Sequence, residues 1–292
     1  MTVEFLANSE LGPVLGRGLT RWLPGRAANR LARGRADARL ASPTSRQARA
    51  VRANLAVVCG REASDPVIGD LTRRVFRNAA QSYVELFRAM NGGHEALSQV
   101  FRWDPAFESS LRALREGGRG AIIVAPHTVG FDIGLLTLAS HGMAVQALSI
   151  ANPRGSYRVQ NRMRLEYGIE ITPISTGSLR AAIRRLRSGG LVLTGVDRPL
   201  GEGIPLTFFG REARMSVGHA RLAQETGAPI VFVASRAAGE GRYVAFGGEA
   251  LEAERPPTKD GLRRLAQAVV SRMEAVISAR PDEWMMFYPR WS

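Results

Sequence analysis

A single cysteine, Cys59, stands in this chain of 292 residues. That excludes an internal disulfide framework and fits a reducing compartment. Lys259 is the only lysine. Of the four histidines, His94, His141 and His219 show no partner arrangement, and none has metal-ligand spacing with another or with Cys59, so neither a metal nor a cofactor is expected. A serine-hydrolase elbow, G-x-S-x-G, is missing. So is a phosphate loop, and Gly201-Glu202-Gly203 lacks the remaining glycine of a dinucleotide loop. No apolar run reaches the about 20 residues that span a bilayer. The stretch from Ala121 to Pro153 carries only Asp132 as a formal charge, but Pro126, Gly130, Gly134, His141 and Gly142 interrupt it. The opening MTVEFLANSE contains Glu4 and Glu10 without an apolar run, so no cleavable signal is read there.

Positive charge is abundant. The formal net charge is +14, and residues 1–61 hold eleven arginines against Glu4, Glu10 and Asp37. The preference for arginine over lysine is what a GC-rich genome produces and is given no weight; the excess of bases over acids keeps its weight. A concentrated positive end attracts a polyanion or an anionic membrane surface. Leu11, Val14, Leu15, Leu19, Trp22 and Leu23 recur at helical spacing between these arginines, before Pro24-Gly25. Two fates fit such a stripe: packing on the protein's own core, or lying at a membrane interface.

Further helices are predicted over 44–59, capped by Ser42 or Thr44, and over 65–90, capped by Ser64 or Asp65 and ended by Asn91-Gly92-Gly93. Another covers 105–115. From residue 120 strands at 120–125, 143–150, 169–174, 191–196, 229–235 and 242–247 alternate with helices at 131–140, 156–167, 178–188, 215–226 and 258–279. This order predicts an α/β fold, with a largely parallel central sheet flanked by helices and preceded by an N-terminal helical region. The helical part, 1–118, is expected to pack on the sheet part, 119–292, as one integrated domain. Functional loops on such sheets lie beyond the C-terminal strand ends.

One of those ends is the most informative stretch, AIIVAPHTVGFD. A buried-strand run stops at Pro126, His127 follows, and Gly130 lets the backbone turn before Asp132. Positions five apart on one helix point in separate directions, so His127 and Asp132 can meet only across such a bend. An imidazole held by a carboxylate is a ready general base. Taken alone, the pair reads as a hydrogen-bonded structural histidine ahead of a catalyst.

The surrounding blocks add to it. His127-Thr128-Val129-Gly130-Phe131-Asp132 resembles the H-x-x-x-x-D/E motif of the lysophospholipid acyltransferase superfamily. The chain is similar to its branch of lipid A late acyltransferases and phosphatidylinositol mannoside acyltransferases. Arg52-Ala53-Asn54-Leu55 and Phe76-Arg77-Asn78 resemble that branch's R-x-N-L and F-R-N blocks, and Asn152-Pro153 with Arg162-Met163-Arg164 before Gly168 its second block. Val196-Asp197-Arg198, Phe208-Phe209-Gly210, Ala213-Arg214-Met215 and Thr226-Gly227-Ala228-Pro229 continue the series in order to about residue 235.

The resemblance implies a membrane-associated O-acyltransferase that moves a fatty acyl group from acyl-CoA or acyl carrier protein to a hydroxyl of a glycolipid or lysophospholipid. His127 would be the general base, with Asp132 fixing its tautomer, and backbone N–H groups around Gly130 would offset charge on the carbonyl oxygen. Arg164, with Arg162 near it, would grip an acceptor phosphate or orient an active-site acid. Asp197 and Arg198 would brace a loop or pair across the site; Phe208 and Phe209 would line the acyl channel or, as is commoner for an aromatic pair, belong to the plain core. The branch often carries a second acid two positions after the first; here that position is Pro199, so no role transfers to it. The long N-terminal membrane helix of lipid A acyltransferases has no counterpart here, which implies a peripheral enzyme on the cytoplasmic face, held by anionic headgroups. No nucleic acid is expected as a partner. Two alternatives stay open at this point: a non-catalytic basic protein that binds membranes or nucleic acid, and an acyl-thioester hydrolase.

Overall fold

The computed structural model describes residues 11–40, 45–140, 143–153, 155–199 and 203–291. Among the described residues, four helices come first: α1 (Leu11–Trp22), α2 (Gly25–Leu40), α3 (Arg46–Cys59) and α4 (Pro66–Val100). Strand β1 (Phe101–Trp103) and helix α5 (Pro105–Glu116) follow, then β2 (Ala121–Ala125), α6 (Phe131–Ser140), β3 (Val145–Ser149), α7 (Ser156–Glu166), β4 (Glu170–Pro173), α8 (Thr176–Arg187) and β5 (Leu191–Gly195). The chain ends with β6 (Ile204–Phe208), β7 (Arg211–Met215), α9 (Gly218–Thr226), β8 (Ile230–Gly239), β9 (Arg242–Gly247) and α10 (Lys259–Ala279). The main sheet has the order β1-β9-β8-β2-β5-β3-β4, parallel except where β8 meets β9.

Central strands of a parallel sheet are covered on both faces, and AIIVA is buried along its whole length. Its side chains alternate between two cores. Ile122 and Val124 pack with Val192, Ile230 and the α9 and α10 side chains. Ala121 and Ile123 pack with Leu193, Ile133 and, from the helical lead, Leu86, Phe87 and Met90 of α4.

Local chemistry sets the helix ends. Asp65 caps α4, accepting from the Val67 N–H at 2.8 Å, with Pro66 in the first turn. Ser45 caps α3, accepting from the Ala48 N–H at 3.2 Å; the expected caps Ser42 and Thr44 lie outside the described residues. Gly93 does not end α4 as predicted. It takes φ +76° and ψ −161°, kinking the helix, which resumes to Val100. Two strand features were missed: the three-residue β1, and the antiparallel hairpin β6–β7, whose turn falls on Phe209-Gly210, both at positive φ. The hairpin takes residue 215, so α9 starts at Gly218 rather than at 215.

Helix α1 settles one of the two fates open for its apolar stripe. It docks on α4 through small residues: Pro13 and Thr20 are buried, and a Cβ on Gly16 would stand 2.7 Å from the Phe87 ring. Leu11, Val14, Leu15 and Leu19 face outward about half exposed, and Trp22 is 83% exposed. The stripe does not pack on the protein's own core.

One buried histidine bears on stability. His219 in the first turn of α9 is buried, and its Nε2 has no hydrogen-bond partner among the described residues. Burial lowers its pKa from 6.5 to about 4. The unfolded chain therefore binds a proton between those values that the fold rejects. Stability is complete above pH 6.5 and is lost as pH falls toward 4, by on the order of 3 kcal/mol. Replacing His219 by Leu should flatten that part of the curve in denaturant titrations between pH 6.5 and 4.5; identical slopes in both proteins would refute the assignment.

Candidate active site

The site grows from strand register. β2 and β5 are parallel neighbours with Ala125 opposite Gly195, so the residues two further on, His127 and Asp197, emerge side by side at the C-terminal end of the sheet. Asp197 is wholly buried. Its Oδ1 lies 2.5 Å from His127 Nδ1, and its Oδ2 accepts from the His127 backbone N–H at 2.8 Å and from the Trp284 indole N–H at 2.9 Å. A buried carboxylate with these partners is an acceptor only, so Nδ1 carries the proton and the Nε2 lone pair is free. The imidazole is packed against Phe131, at 4.9 Å between ring centroids. On another side it covers Gly195, where any Cβ would come within 2.6 Å of its Cε1.

Sequence proximity had pointed to Asp132 as the acid on His127; the acid at Nδ1 is Asp197. Asp132 lies beyond the Gly130 bend, in the first turn of α6, and its carboxylate is engaged by a guanidinium from α7. Arg164 donates to its Oδ1 through Nε at 3.0 Å and Nη2 at 2.5 Å. Arg164 is itself buried, and its Nη1 donates to Asn161 Oδ1 at 2.7 Å. Of the two roles open for Arg164, the one seen is orienting an acid. Arg162, on the same helix, is exposed.

Arg198 is half-buried beside Asp197, its guanidinium 5.4 Å from the Tyr157 ring centroid and 5.8 Å from that of Tyr288. Burial and the Arg198 charge hold the His127 pKa below its ordinary value, against the pull of Asp197 and Asp132. Burial alone would raise Asp197, but His127 and the Trp284 N–H outweigh it and leave the carboxyl at about 2. Near neutrality the pair is a neutral imidazole on an ionised carboxylate.

The expectation for Gly130 is corrected. It has φ +77°, and a Cβ would lie 2.8 Å from the Tyr243 ring, so glycine is required there. The N–H groups around it are engaged: Gly130 donates to Ser82 Oγ at 2.9 Å, Val129 to the Glu283 carbonyl and Phe131 to the Thr128 carbonyl, both at 3.1 Å. Phe208 is fully buried in an aromatic cluster with Phe209, Trp284 and Trp291. An apolar cavity of about 40 Å³ next to Phe131 is walled instead by Pro126, Leu135, Leu138 and Trp103. A larger cleft of about 680 Å³, between Arg119, Arg184 and Leu111, opens at the opposite, N-terminal ends of β3 and β5. Sequence reasoning missed Trp284, Tyr157, Tyr288 and Ser82; none sits in a motif that announces its role. Among the described residues no three of His, Cys, Asp and Glu gather to hold a metal, and no helix is long and apolar enough to cross a membrane.

Comparison with known proteins shows the family. Residues 13–292 match the family model for bacterial lipid A biosynthesis acyltransferase. A phosphatidylinositol mannoside acyltransferase of Mycolicibacterium smegmatis is 28% identical over 246 residues, covering 82% of this chain and 78% of the relative. The phosphatidylinositol mannoside acyltransferase of Mycobacterium tuberculosis, in strain H37Rv, is 29% identical over 213 residues, 71% of this chain and 66% of the relative. The chain belongs to the bacterial lipid A biosynthesis acyltransferase family and is an acyltransferase.

Proposed function

We propose that the protein transfers a fatty acyl group from a thioester, on CoA or acyl carrier protein, to a hydroxyl of a membrane glycolipid of the phosphatidylinositol mannoside kind. The observation that carries this reading is the His127 Nδ1–Asp197 Oδ1 contact at 2.5 Å, which leaves Nε2 unprotonated at the end of the sheet. The acceptor hydroxyl gives its proton to Nε2 as its oxygen attacks the thioester carbonyl. A C–O bond forms, the C–S bond breaks, and the departing thiolate takes the proton back from the imidazolium. Asp197 steadies the charged imidazole between those steps, and no acyl-enzyme is formed.

Other features fit the same reading. The apolar cavity borders Phe131, which stacks on His127, and runs toward Leu138 and Trp103. Its about 40 Å³ holds little more than a water, so an acyl chain enters only as these side chains turn aside. Since Arg164 is engaged by Asp132, the cation left to meet an acceptor phosphate is Arg198, with Tyr157 and Tyr288 offering flat faces beside it. Membrane contact is assigned to α1, whose outward Leu11, Leu15, Leu19 and Trp22 lie among Arg17 and Arg21. Arg17 pairs with Glu166 of α7 at 2.6 Å, joining that face to the helix that bears Arg164.

Three outcomes are expected. His127→Ala abolishes transfer, and Asp197→Asn lowers kcat by about a hundred- to ten-thousandfold with little change in KM, as when a catalytic imidazole is left in the wrong tautomer; near-normal turnover in either variant contradicts the reading. The acid limb of kcat/KM lies below pH 6.5, activity falling as His127 takes a proton. Removing the Arg198 charge in Arg198→Gln should move that limb to higher pH, and an unmoved limb would disprove its influence. Finally, Leu15→Glu with Leu19→Glu should release the protein from phosphatidylglycerol-containing vesicles in a flotation assay while leaving its thermal unfolding unchanged. Undiminished flotation would remove α1 as the membrane contact.

A further inference from the structure

The chain after α10 is a strap laid across the catalytic loop. The Met285 N–H donates to the His127 carbonyl at 2.8 Å, and the Val129 N–H to the Glu283 carbonyl at 3.1 Å. Trp284 pairs with Thr128 in an isolated antiparallel bridge, and its indole N–H reaches Asp197 Oδ2. Tyr288 covers Arg198. The ring of Trp284 is backed by Phe208 and Trp291 at 6.1 and 6.5 Å.

Two asparagines more than two hundred residues upstream hold this strap. Asn54 of α3 is buried; its Nδ2 donates to the carbonyls of Met286 and Tyr288 at 3.2 and 2.8 Å, and its Oδ1 accepts from the Arg290 N–H at 2.9 Å. Asn78 of α4 donates to the Asp282 carbonyl at 3.0 Å. A carboxamide has both donors and an acceptor, so Asn54 satisfies three backbone groups at once. Asp or Leu of similar size cannot. These asparagines belong to the Arg52–Leu55 and Phe76–Asn78 blocks, which the reaction itself does not use. Their grips fall on either side of Trp284, at residue 282 and at 286–290.

We propose that Asn54 and Asn78 are positioning residues for acyl transfer: by clamping the strap they keep the Trp284 indole N–H on Asp197 and thereby tune the basicity of His127. The proposal rests on His127 acting as the base. A carboxylate that loses one of its donors binds the remaining proton-bearing partner more strongly, so the imidazolium on it becomes harder to deprotonate. The charged groups facing the pair are Arg198 at the same strand end, Asp132 on α6 and Arg290 on the strap itself. None of them is substituted in the variants below, and Asn78→Ala and Trp284→Phe leave the Arg290 backbone contact to Asn54 in place.

The test is the pH profile of kcat/KM for Trp284→Phe, Asn54→Ala, Asn78→Ala and the Asn54→Ala/Trp284→Phe double variant. Trp284→Phe keeps a ring against Phe208 and removes the donor. It should move the acid limb to higher pH, so that kcat/KM falls by about ten- to a hundredfold on that limb, the size of one hydrogen bond to a charged group, with KM for the thioester unchanged. Each asparagine variant should shift the limb the same way by less. The double variant should match Trp284→Phe alone, because both changes cut one connection. Losses that multiply, or limbs that stay at the wild-type pH, overturn the proposal. If Asn54→Ala fails to fold, Asn78→Ala, which gives up a half-buried contact, decides: a lowered Tm with an unmoved limb counts as failure. His127→Ala separates the two levels. Turnover in that variant sinks the base itself, whereas an inactive His127→Ala with unmoved limbs elsewhere sinks only the clamp.

Discussion

A carboxylate with no contact to solvent must be surrounded by donors, since an unpaired buried charge costs several kcal/mol. Asp197 meets that demand with groups from two distant parts of the chain, the backbone and ring of His127 and the indole of Trp284. The arrangement serves the imidazole as much as the acid. With Oδ2 engaged by two N–H groups, Oδ1 is left for Nδ1, which fixes the tautomer and leaves Nε2 without a proton. Strand register, the close approach over Gly195 and the course of the C-terminal strap all converge on this one ion.

An ion pair, largely shielded from solvent, stands beside this acid–imidazole pair and does a different task. Arg164 and Asp132 neutralise each other between α7 and α6, extended by Asn161 to Ser149 at the end of β3. That network ties the helix after β3 to the helix after β2. Asp132 acts on His127 through space, opposed by Arg198. The two acids of the site thus hold different partners: Asp197 holds the imidazole, and Asp132 ties α6 to α7 through Arg164.

Much of this is legible in the sequence. The apolar run stopped by Pro126, the glycine bend and the strand–helix alternation mark β2, its loop and a largely parallel sheet, and both acids were singled out from sequence. What could not be read was which strands are neighbours. Asp132 is five residues from His127 and Asp197 is seventy, yet register brings the distant one to Nδ1. Periodicity told that α1 has an apolar stripe but not that its small residues, Pro13, Gly16 and Thr20, would face inward instead. For Phe208 and Phe209 the sequence leaves channel wall and plain core both open. The positive-φ turn at Phe209-Gly210 makes a hairpin that buries Phe208 behind Trp284. Trp284 carries no motif, and its role exists only once the strap is folded.

The most direct measurement on the central claim is ¹⁵N NMR of the His127 ring across pH, in the native chain and in Asp197→Asn. The expected spectrum has a neutral imidazole protonated at Nδ1 near pH 7, titrating below the ordinary histidine value, with that tautomer lost in Asp197→Asn. An Nε2-protonated ring in the native protein, or a tautomer indifferent to Asp197, would contradict it.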